Sequence, residues 1–160
     1  SPDFWGGERK GDNLYSGSIV ALNALNGKVA WHFQHVHHDI WDYDTPSPPM
    51  LIDLTRDGKQ VPLVVQNTKQ GFSFVLHRET GEPFFGIEER PVPQNALAGE
   101  WLSPTQPFPI APPPLLPLSL TPDDAWGFTF FDRRACRKKI ENLRFEGVFT
   151  PPSTAPAAGS

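Results

Sequence analysis

Nineteen of the 160 residues are proline, and ten of those lie between Arg90 and Pro122. Proline has no backbone N–H and a fixed φ, so a segment this dense in it forms neither a helix nor a central strand. Residues 90–122 are therefore expected to be a linker or a long excursion held by packing. Trp101, Phe108 and the leucines at 115–120 favour packing for at least part of it. The stretch from Phe108 to Leu120 is apolar, but Pro112, Pro113, Pro114 and Pro117 forbid a helix through it. No apolar run approaches the roughly 18–20 residues that a membrane-spanning helix needs.

Outside that segment, short apolar runs alternate with turn residues. Strands are expected at Ser18–Asn23, Val29–Gln34, Met50–Leu54, Val61–Val65, Phe72–His77 and Pro83–Ile87. The sequence Leu25-Asn26-Gly27-Lys28 predicts a tight hairpin with φ > 0 at both central residues. Arg56–Lys59, Asn67–Gly71 and Glu79–Glu82 are further turns. Pro46, Pro48 and Pro49 hold an extended connection, and residues 1–17 read as loop. Beyond the excursion, Asp123–Phe131 is too aromatic for a linker. Asp132–Glu141 has room for about two helical turns with Asp132 as N-cap, and Phe145–Phe149 again reads as a strand. This pattern is that of an all-β sandwich, barrel or propeller. Its divisions are a strand-rich part at 1–89, the Pro-rich excursion at 90–122, and a further segment at 123–160.

An internal repeat narrows the choice. Val20-Ala21-Leu22-Asn23, three residues, then Gly27-Lys28-Val29-Ala30-Trp31 has a counterpart 54 positions on. The counterpart is Phe74-Val75-Leu76-His77, three residues, then Gly81-Glu82-Pro83-Phe84-Phe85. The unit is a hairpin ending in an aromatic residue, spaced as a propeller blade with a long loop.

Composition excludes other classes. The net charge of −4 comes without a clustered basic face, so nucleic acid is not an expected partner. The one basic cluster, Arg133, Arg134, Arg137, Lys138 and Lys139, reads as a solvated face. A single cysteine, Cys136, excludes an internal disulfide framework and a Cys-rich zinc site, and it reads as a small buried hydrophobe. The chain opens on Ser1-Pro2-Asp3 without an initiator Met, and it closes on a flexible-looking tail, Ala155–Ser160. Both ends have the character of a piece of a longer protein.

The densest polar stretch is His37-His38-Asp39-Ile40-Trp41-Asp42-Tyr43-Asp44, placed after the first hairpin. Three adjacent residues do not readily converge on one ion, so His37, His38 and Asp39 are not expected to form a zinc site. Asp42 lies between two aromatic rings that could shield it from water and raise its pKa toward a useful range for a base. A surface carboxylate bonded to its own turn is the plainer alternative.

These residues carry a resemblance to a family. Val36–Asp44 is similar to the His-Asp-x-Trp-Asp segment of the pyrroloquinoline quinone (PQQ)-dependent dehydrogenases, and Lys69-Gln70-Gly71-Phe72 to their Lys-x-Gly turn. Pro91–Gln94, Ser103–Phe108, Trp126-Gly127, Phe131-Asp132, Cys136-Arg137 and Phe145–Ser153 continue the match in order over nearly the whole chain. The branch most resembled is that of the membrane-associated glucose and quinate dehydrogenases.

The resemblance implies an eight-bladed β-propeller holding PQQ and Ca²⁺ in a central funnel, of which this chain is a fragment of roughly two blades plus the excursion. Trp31 takes the position of the blade-docking tryptophan. Asp42 takes that of the catalytic base and stands beside the metal. Lys69 is the cation against the quinone oxygens, where alcohol-oxidising members tend to carry Arg. His38 and Asp39 orient Asp42 or hold its loop, and Asp44 is a possible neighbour of the metal. The principal Ca²⁺ ligands are expected upstream. Trp126 either walls the funnel or packs in the core, and core packing is the first expectation. The implied function is oxidation of a sugar, polyol or related alcohol on the periplasmic side of the inner membrane. Electrons go to a ubiquinone-type acceptor, and membrane association resides in parts outside this chain. The isolated stretch is expected to be inactive. The alternatives are a non-enzymatic assembly propeller and a soluble alcohol dehydrogenase using a cytochrome acceptor.

Overall fold

The computed structural model describes residues 5–154. The tail expected at Ala155–Ser160 and the first four residues of the expected N-terminal loop lie outside the described residues. Among the described residues seven strands form three antiparallel sheets. β1 (Ser18–Leu22) pairs with β2 (Val29–Gln34), β3 (Met50–Arg56), β4 (Lys59–Asn67) and β5 (Ser73–His77) form a meander, and β6 (Ile87–Pro91) pairs with β7 (Thr105–Pro109). The one α-helix among the described residues, α1, spans Phe130–Glu141.

The 54-residue repeat is visible bond by bond. In the first hairpin Asn23 N donates to Lys28 O at 2.8 Å and Gly27 N to Asn23 O at 2.8 Å. In the second copy His77 N donates to Glu82 O and Gly81 N to His77 O, each at 2.8 Å. The register also repeats, with Leu22 opposite Val29 and Leu76 opposite Pro83. Both turns end on a glycine in the left-handed region, Gly27 at φ 70 and Gly81 at φ 77. The two-residue turn expected at Asn26-Gly27 is therefore a longer loop closed by an i+4→i bond, and Asn26 keeps φ < 0. The tight turn with both central residues at positive φ occurs instead at Asp57 (φ 52) and Gly58 (φ 74), between Arg56 and Lys59.

The strand expected at Pro83–Ile87 does not form. Pro83 makes a single bridge to Leu76, Phe84 N donates to Val75 O, and Gly86 at φ 90 turns the chain away. Pro83 has no N–H with which to extend a ladder. The strand begins at Ile87 and pairs with β7, inside the Pro-rich excursion.

That ribbon tolerates its prolines through register. Val92 N donates to Pro104 O and Ile110 N to Gly86 O, which places the bonded positions at every second pair. Pro91, Pro107 and Pro109 fall on the alternate positions, whose N–H would face away from the partner strand.

Two apolar clusters hold the sheets together. Ile19, Val64 and Leu76 join the first hairpin to the meander, and Val36, Phe72, Phe74, Val92 and Phe149 form the larger cluster beside it. Phe33 and Ile87 touch both. Trp31 docks across the repeat: its Nε1 donates to Arg78 O at 3.1 Å, and its ring lies so close to Gly81 that a Cβ there would stand 2.6 Å away.

Three expectations for the C-terminal part are corrected. Thr129, not Asp132, caps α1: its hydroxyl accepts from Asp132 N, while the Asp132 carboxylate accepts from Thr129 N as the third residue of a capping box. Phe145–Phe149 is a series of bends stitched by Glu146 N to Thr150 Oγ1 and Thr150 N to Gly147 O, not a strand. Trp126 is 66% exposed, Cys136 is half-buried, and α1 buries none of its residues. The buried places expected for Trp126 and Cys136 are not found: among the described residues α1 is met by the short turn at Pro122–Asp124, as in the bond from Arg133 Nε to Ala125 O, and that contact leaves every helical residue exposed or half-buried.

Two predictions follow from this packing, both read in the full-length protein. Gly81→Ala meets backbone strain and the Trp31 ring together, so it should cost about 3 kcal/mol in urea unfolding. Gly27→Ala has the same strain but open space around it, so about 1 kcal/mol is expected. Equal costs would remove the docking role of Trp31. His35 is fully buried, its Nε2 2.8 Å from Thr45 Oγ1, and burial lowers its pKa to about 4. The unfolded imidazole takes up its proton first, so His35 contributes stability that is complete above about pH 6.5 and lost as pH falls toward about 4, a total of about 3 kcal/mol. In His35→Gln the loss of stability between those pH values should shrink by that amount.

Candidate functional site

The polar stretch 37–44 leaves β2 as an irregular loop in which two residues, His38 (φ 46) and Asp42 (φ 60), take left-handed backbone. Asp39 organises the loop. Its Oδ1 accepts from Trp41 N at 2.9 Å and its Oδ2 from Tyr43 N at 2.8 Å. Burial, the largest influence, raises the Asp39 pKa, and the two amide bonds oppose that rise. Arg9 donates to the Asp39 carbonyl at 2.8 Å.

The rings of Trp41 and Tyr43 lie 5.9 Å apart, nearly parallel, and both meet the buried Phe149 edge-on. Trp41 Nε1 donates to Thr150 O, and the Tyr43 hydroxyl to Val148 O. These rings are spent on the core. The Asp42 side chain between them keeps 45% exposure, so the aromatic shielding expected for it is not supplied by its neighbours.

Lys69 reaches the loop from the turn between β4 and β5. That turn is closed by Gly71 N to Thr68 O at 3.0 Å, with Gly71 at φ 78. Lys69 Nζ donates to Asp42 O at 2.8 Å, to Asp42 Oδ2 at 3.1 Å and to Asp44 Oδ1 at 2.7 Å. Its three protons thus have three acceptors. The Asp44 carboxylate, held first by Lys69, sits below the usual carboxylate range, and the same pairing, led by Asp44, raises Lys69. Asp42 Oδ1 takes no hydrogen bond from any described residue.

The structure brings Asp42, Asp44 and Lys69 together and leaves His38 and Asp39 apart from them. The His38 ring is fully buried, with Nδ1 2.7 Å from Gly11 O and the Trp101 ring edge-on at 4.6 Å. His37 turns elsewhere again, its Nε2 3.0 Å from Glu89 Oε1. No group of three His, Cys, Asp or Glu among the described residues is placed to hold a metal. Asp42 is thus at most one ligand among others.

Two glutamines escaped the sequence reading. Gln106, fully buried on β7, accepts from His37 N at 2.8 Å and donates to His37 O at 2.7 Å, pinning the loop to the excursion. Gln70 is 97% buried beside Lys69, yet neither its Nε2 nor its Oε1 has a partner. Both Lys69 and Gln70 line a cavity of about 580 Å³ whose walls include Tyr43, Leu116, Phe145 and Thr150. Glutamines without charge or periodicity give no signal in a single sequence.

Comparison with known proteins now adds to this geometry. Residues 1–159 match the family described as PQQ glucose/ethanol/alcohol dehydrogenase, beta-propeller domain. The chain is 46% identical over 155 residues to the quinoprotein glucose dehydrogenase of Escherichia coli (strain K12), and 48% identical over 156 residues to that of Gluconobacter oxydans (strain 621H). It is 41% identical over 156 residues to the probable quinate dehydrogenase (quinone) of Xanthomonas campestris pv. juglandis. Each alignment covers 96% of this chain but only 19–20% of the relative, so the chain spans about a fifth of the proteins it matches. This all-β chain belongs to the β-propeller family of the PQQ-dependent glucose, ethanol and alcohol dehydrogenases.

Proposed function

We propose that this chain is the segment of a PQQ-dependent dehydrogenase that supplies the base and the cation for oxidising a sugar, polyol or related alcohol. The carrying observation is the Lys69 ammonium bridging Asp42 and Asp44 at the edge of a cavity. Solvent screening leaves an exposed ion pair of this kind little effect on the stability of a fold, so stability alone is a weak reason for three charges on an irregular loop. PQQ, when bound, supplies a two-electron carbonyl oxidant.

In this reading Asp42 accepts the hydroxyl proton of the donor at Oδ1, the oxygen left without a hydrogen bond, while Lys69 holds Oδ2 and fixes the carboxylate's orientation. Lys69 also provides the positive charge for oxygens that gain electron density. It has no proton to spare, so meeting a quinone oxygen requires it to release one acceptor. Asp44, at 64% exposure, is the acceptor that water replaces most readily. Asp39 holds the loop in the conformation that presents Asp42, and His38 anchors it against Gly11 and Trp101.

A Ca²⁺ ion would use the Asp42 carboxylate as one ligand, with the remaining oxygens coming from elsewhere in the full-length protein. A quinone of the ubiquinone type as electron acceptor, a site on the periplasmic side and membrane attachment outside this segment complete the reading. They rest on the likeness to the glucose and quinate enzymes. Among the described residues no helix is long and apolar enough to cross a membrane.

The test uses the full-length protein with added PQQ and Ca²⁺, screened on sugars and polyols with a dye acceptor. Turnover is expected, and Asp42→Asn should lower kcat by at least about 10²-fold while PQQ stays bound. Absence of PQQ binding by the wild type would sink the reading, and full turnover by Asp42→Asn would remove Asp42 from its role. Asp44→Ala removes one acceptor of Lys69, and so frees one of its protons, without touching the base. It should tighten PQQ binding by up to about fivefold, measured by fluorescence titration. Weaker binding would mean that Asp44 assists the cofactor instead of competing with it.

A further inference from the structure

Every polar atom of His37 is engaged, and each partner lies outside the 37–44 loop. Its N–H and C=O meet the Gln106 amide on β7 at 2.8 and 2.7 Å. Its Nδ1 stands 3.0 Å from Gln34 Oε1 at the end of β2, and its Nε2 3.0 Å from Glu89 Oε1 on β6. Three strands thus converge on the residue that opens the loop leading to Asp42.

These partners fix how many protons the arrangement needs. Gln34 Nε2 donates to Asp12 O at 2.7 Å and to Ser16 O at 3.1 Å. Main-chain carbonyls only accept, so the amide nitrogen belongs on that side and the amide oxygen faces His37. Nδ1 therefore carries a hydrogen. On the other side Glu89 accepts the Thr105 hydroxyl at Oε2, 2.8 Å away, and turns Oε1 to Nε2. A carboxylate only accepts, so a second proton lies between Nε2 and Oε1. Without it, lone pairs oppose each other at 3.0 Å on one side of the ring. Turning the Gln34 amide over gives no relief, because its two protons would lose their main-chain acceptors. Glu89 is the titratable side chain bonded to the ring. Arg90, its neighbour on β6, is turned to Glu88 at 2.7 Å, and Arg9 is committed to Asn13 and the Asp39 carbonyl. From β2 and β7 the ring and its partner meet the neutral groups of Gln34, Thr105 and Gln106.

From this geometry we infer that His37 is a positioning residue for Asp42: the proton between its ring and Glu89 fastens the start of the 37–44 loop to β6. The inference rests on the dehydrogenase reading above. With the proton in place, the main chain is held through Gln106 and the side chain through Glu89. When the proton leaves, the Gln106 bonds stay and the side-chain tie is lost. The segment between His37 and the Trp41 anchor then has freedom to pivot. His38 (φ 46) and Asp42 (φ 60) hold sparsely populated backbone in and beside that segment, which persists only where the surroundings enforce it. A base presented less accurately slows the chemical step, so the effect falls on kcat and leaves KM alone.

The experiment compares the pH–rate profiles of the full-length wild type and Glu89→Gln, both loaded with PQQ, on the sugar or polyol that the wild type oxidises fastest. A glutamine at position 89 offers its own N–H to a ring with one proton, so the tie no longer needs the second one. Wild-type kcat should step down by about three- to fivefold as rising pH removes that proton, with KM unchanged, and Glu89→Gln should lack the step. Lys69, raised by its bonds to Asp44 and Asp42, gives up its proton at higher pH and in both enzymes alike. His37→Gln is the second variant: its amide keeps a donor for Glu89 without titrating, and it too should lack the step. Variant profiles that run parallel to the wild type would overturn the inference. So would a step in KM alone, which would place His37 against the donor, or failure of both variants to load PQQ, which would assign the pair to holding the fold. A wild type that binds no PQQ sinks the dehydrogenase reading and this inference together. A wild type that turns over without the step sinks this inference alone.

Discussion

Everything about the site depends on one aromatic contact. Phe149, with 1% of its surface exposed, meets Trp41 at 5.3 Å, Tyr43 at 5.8 Å and Phe108 at 5.5 Å. Three distant segments converge on that ring: the loop after β2, the strand β7 of the Pro-rich excursion, and the bends near the C-terminal end. The backbone carbonyls on either side of Phe149, Val148 O and Thr150 O, accept the Tyr43 and Trp41 polar hydrogens. Burying such rings contributes a few kcal/mol each, and the two hydrogen bonds satisfy the polar ends that would otherwise oppose it. Asp42 lies in sequence between the two anchored rings, and its side chain keeps 45% exposure.

The excursion is part of this frame. β6 and β7 pair with their prolines on the unbonded positions, Gln106 clamps His37, and Leu115 and Leu116 close over the turn that carries Lys69 and Gln70. A segment that looks like an interruption of the strands forms one wall of the cavity. The electrostatics follow from that placement: a cation from one turn and two carboxylates from another loop meet where the apolar frame leaves an edge open to solvent.

The outline of the fold was legible. Strand after strand declared itself through short apolar runs bounded by glycine turns, and the 54-residue repeat extends to matching hydrogen bonds at Asn23 and His77. The misreadings share a cause. Pro83–Ile87 and Phe145–Phe149 have strand-like composition, but a strand needs a partner with free N–H and C=O groups, and composition says nothing about partners. Thr129 displaced Asp132 as cap because a capping box assigns the carboxylate to the third helical position. Trp126, Phe128, Phe130 and Phe131 lie open on and beside α1, since burial depends on what lies opposite. At the site, Asp42 and Lys69 were readable as residues, and Asp44 as a neighbour. The shielding of Asp42 and the orphaned amide of Gln70 were not, because both depend on where other side chains go.

By itself the sequence determined the all-β class, the blade-like hairpin unit and the family, because turn chemistry and local apolar runs are properties of neighbouring residues. It also determined which groups were available for chemistry. Tertiary structure alone decided that Lys69 spends its three protons on Asp42 and Asp44, that the aromatic rings serve Phe149 instead of covering Asp42, and that Gln70 is buried without a partner among the described residues. Each of those outcomes is set by distances between segments tens of residues apart, and such distances are fixed by packing, not by local preference.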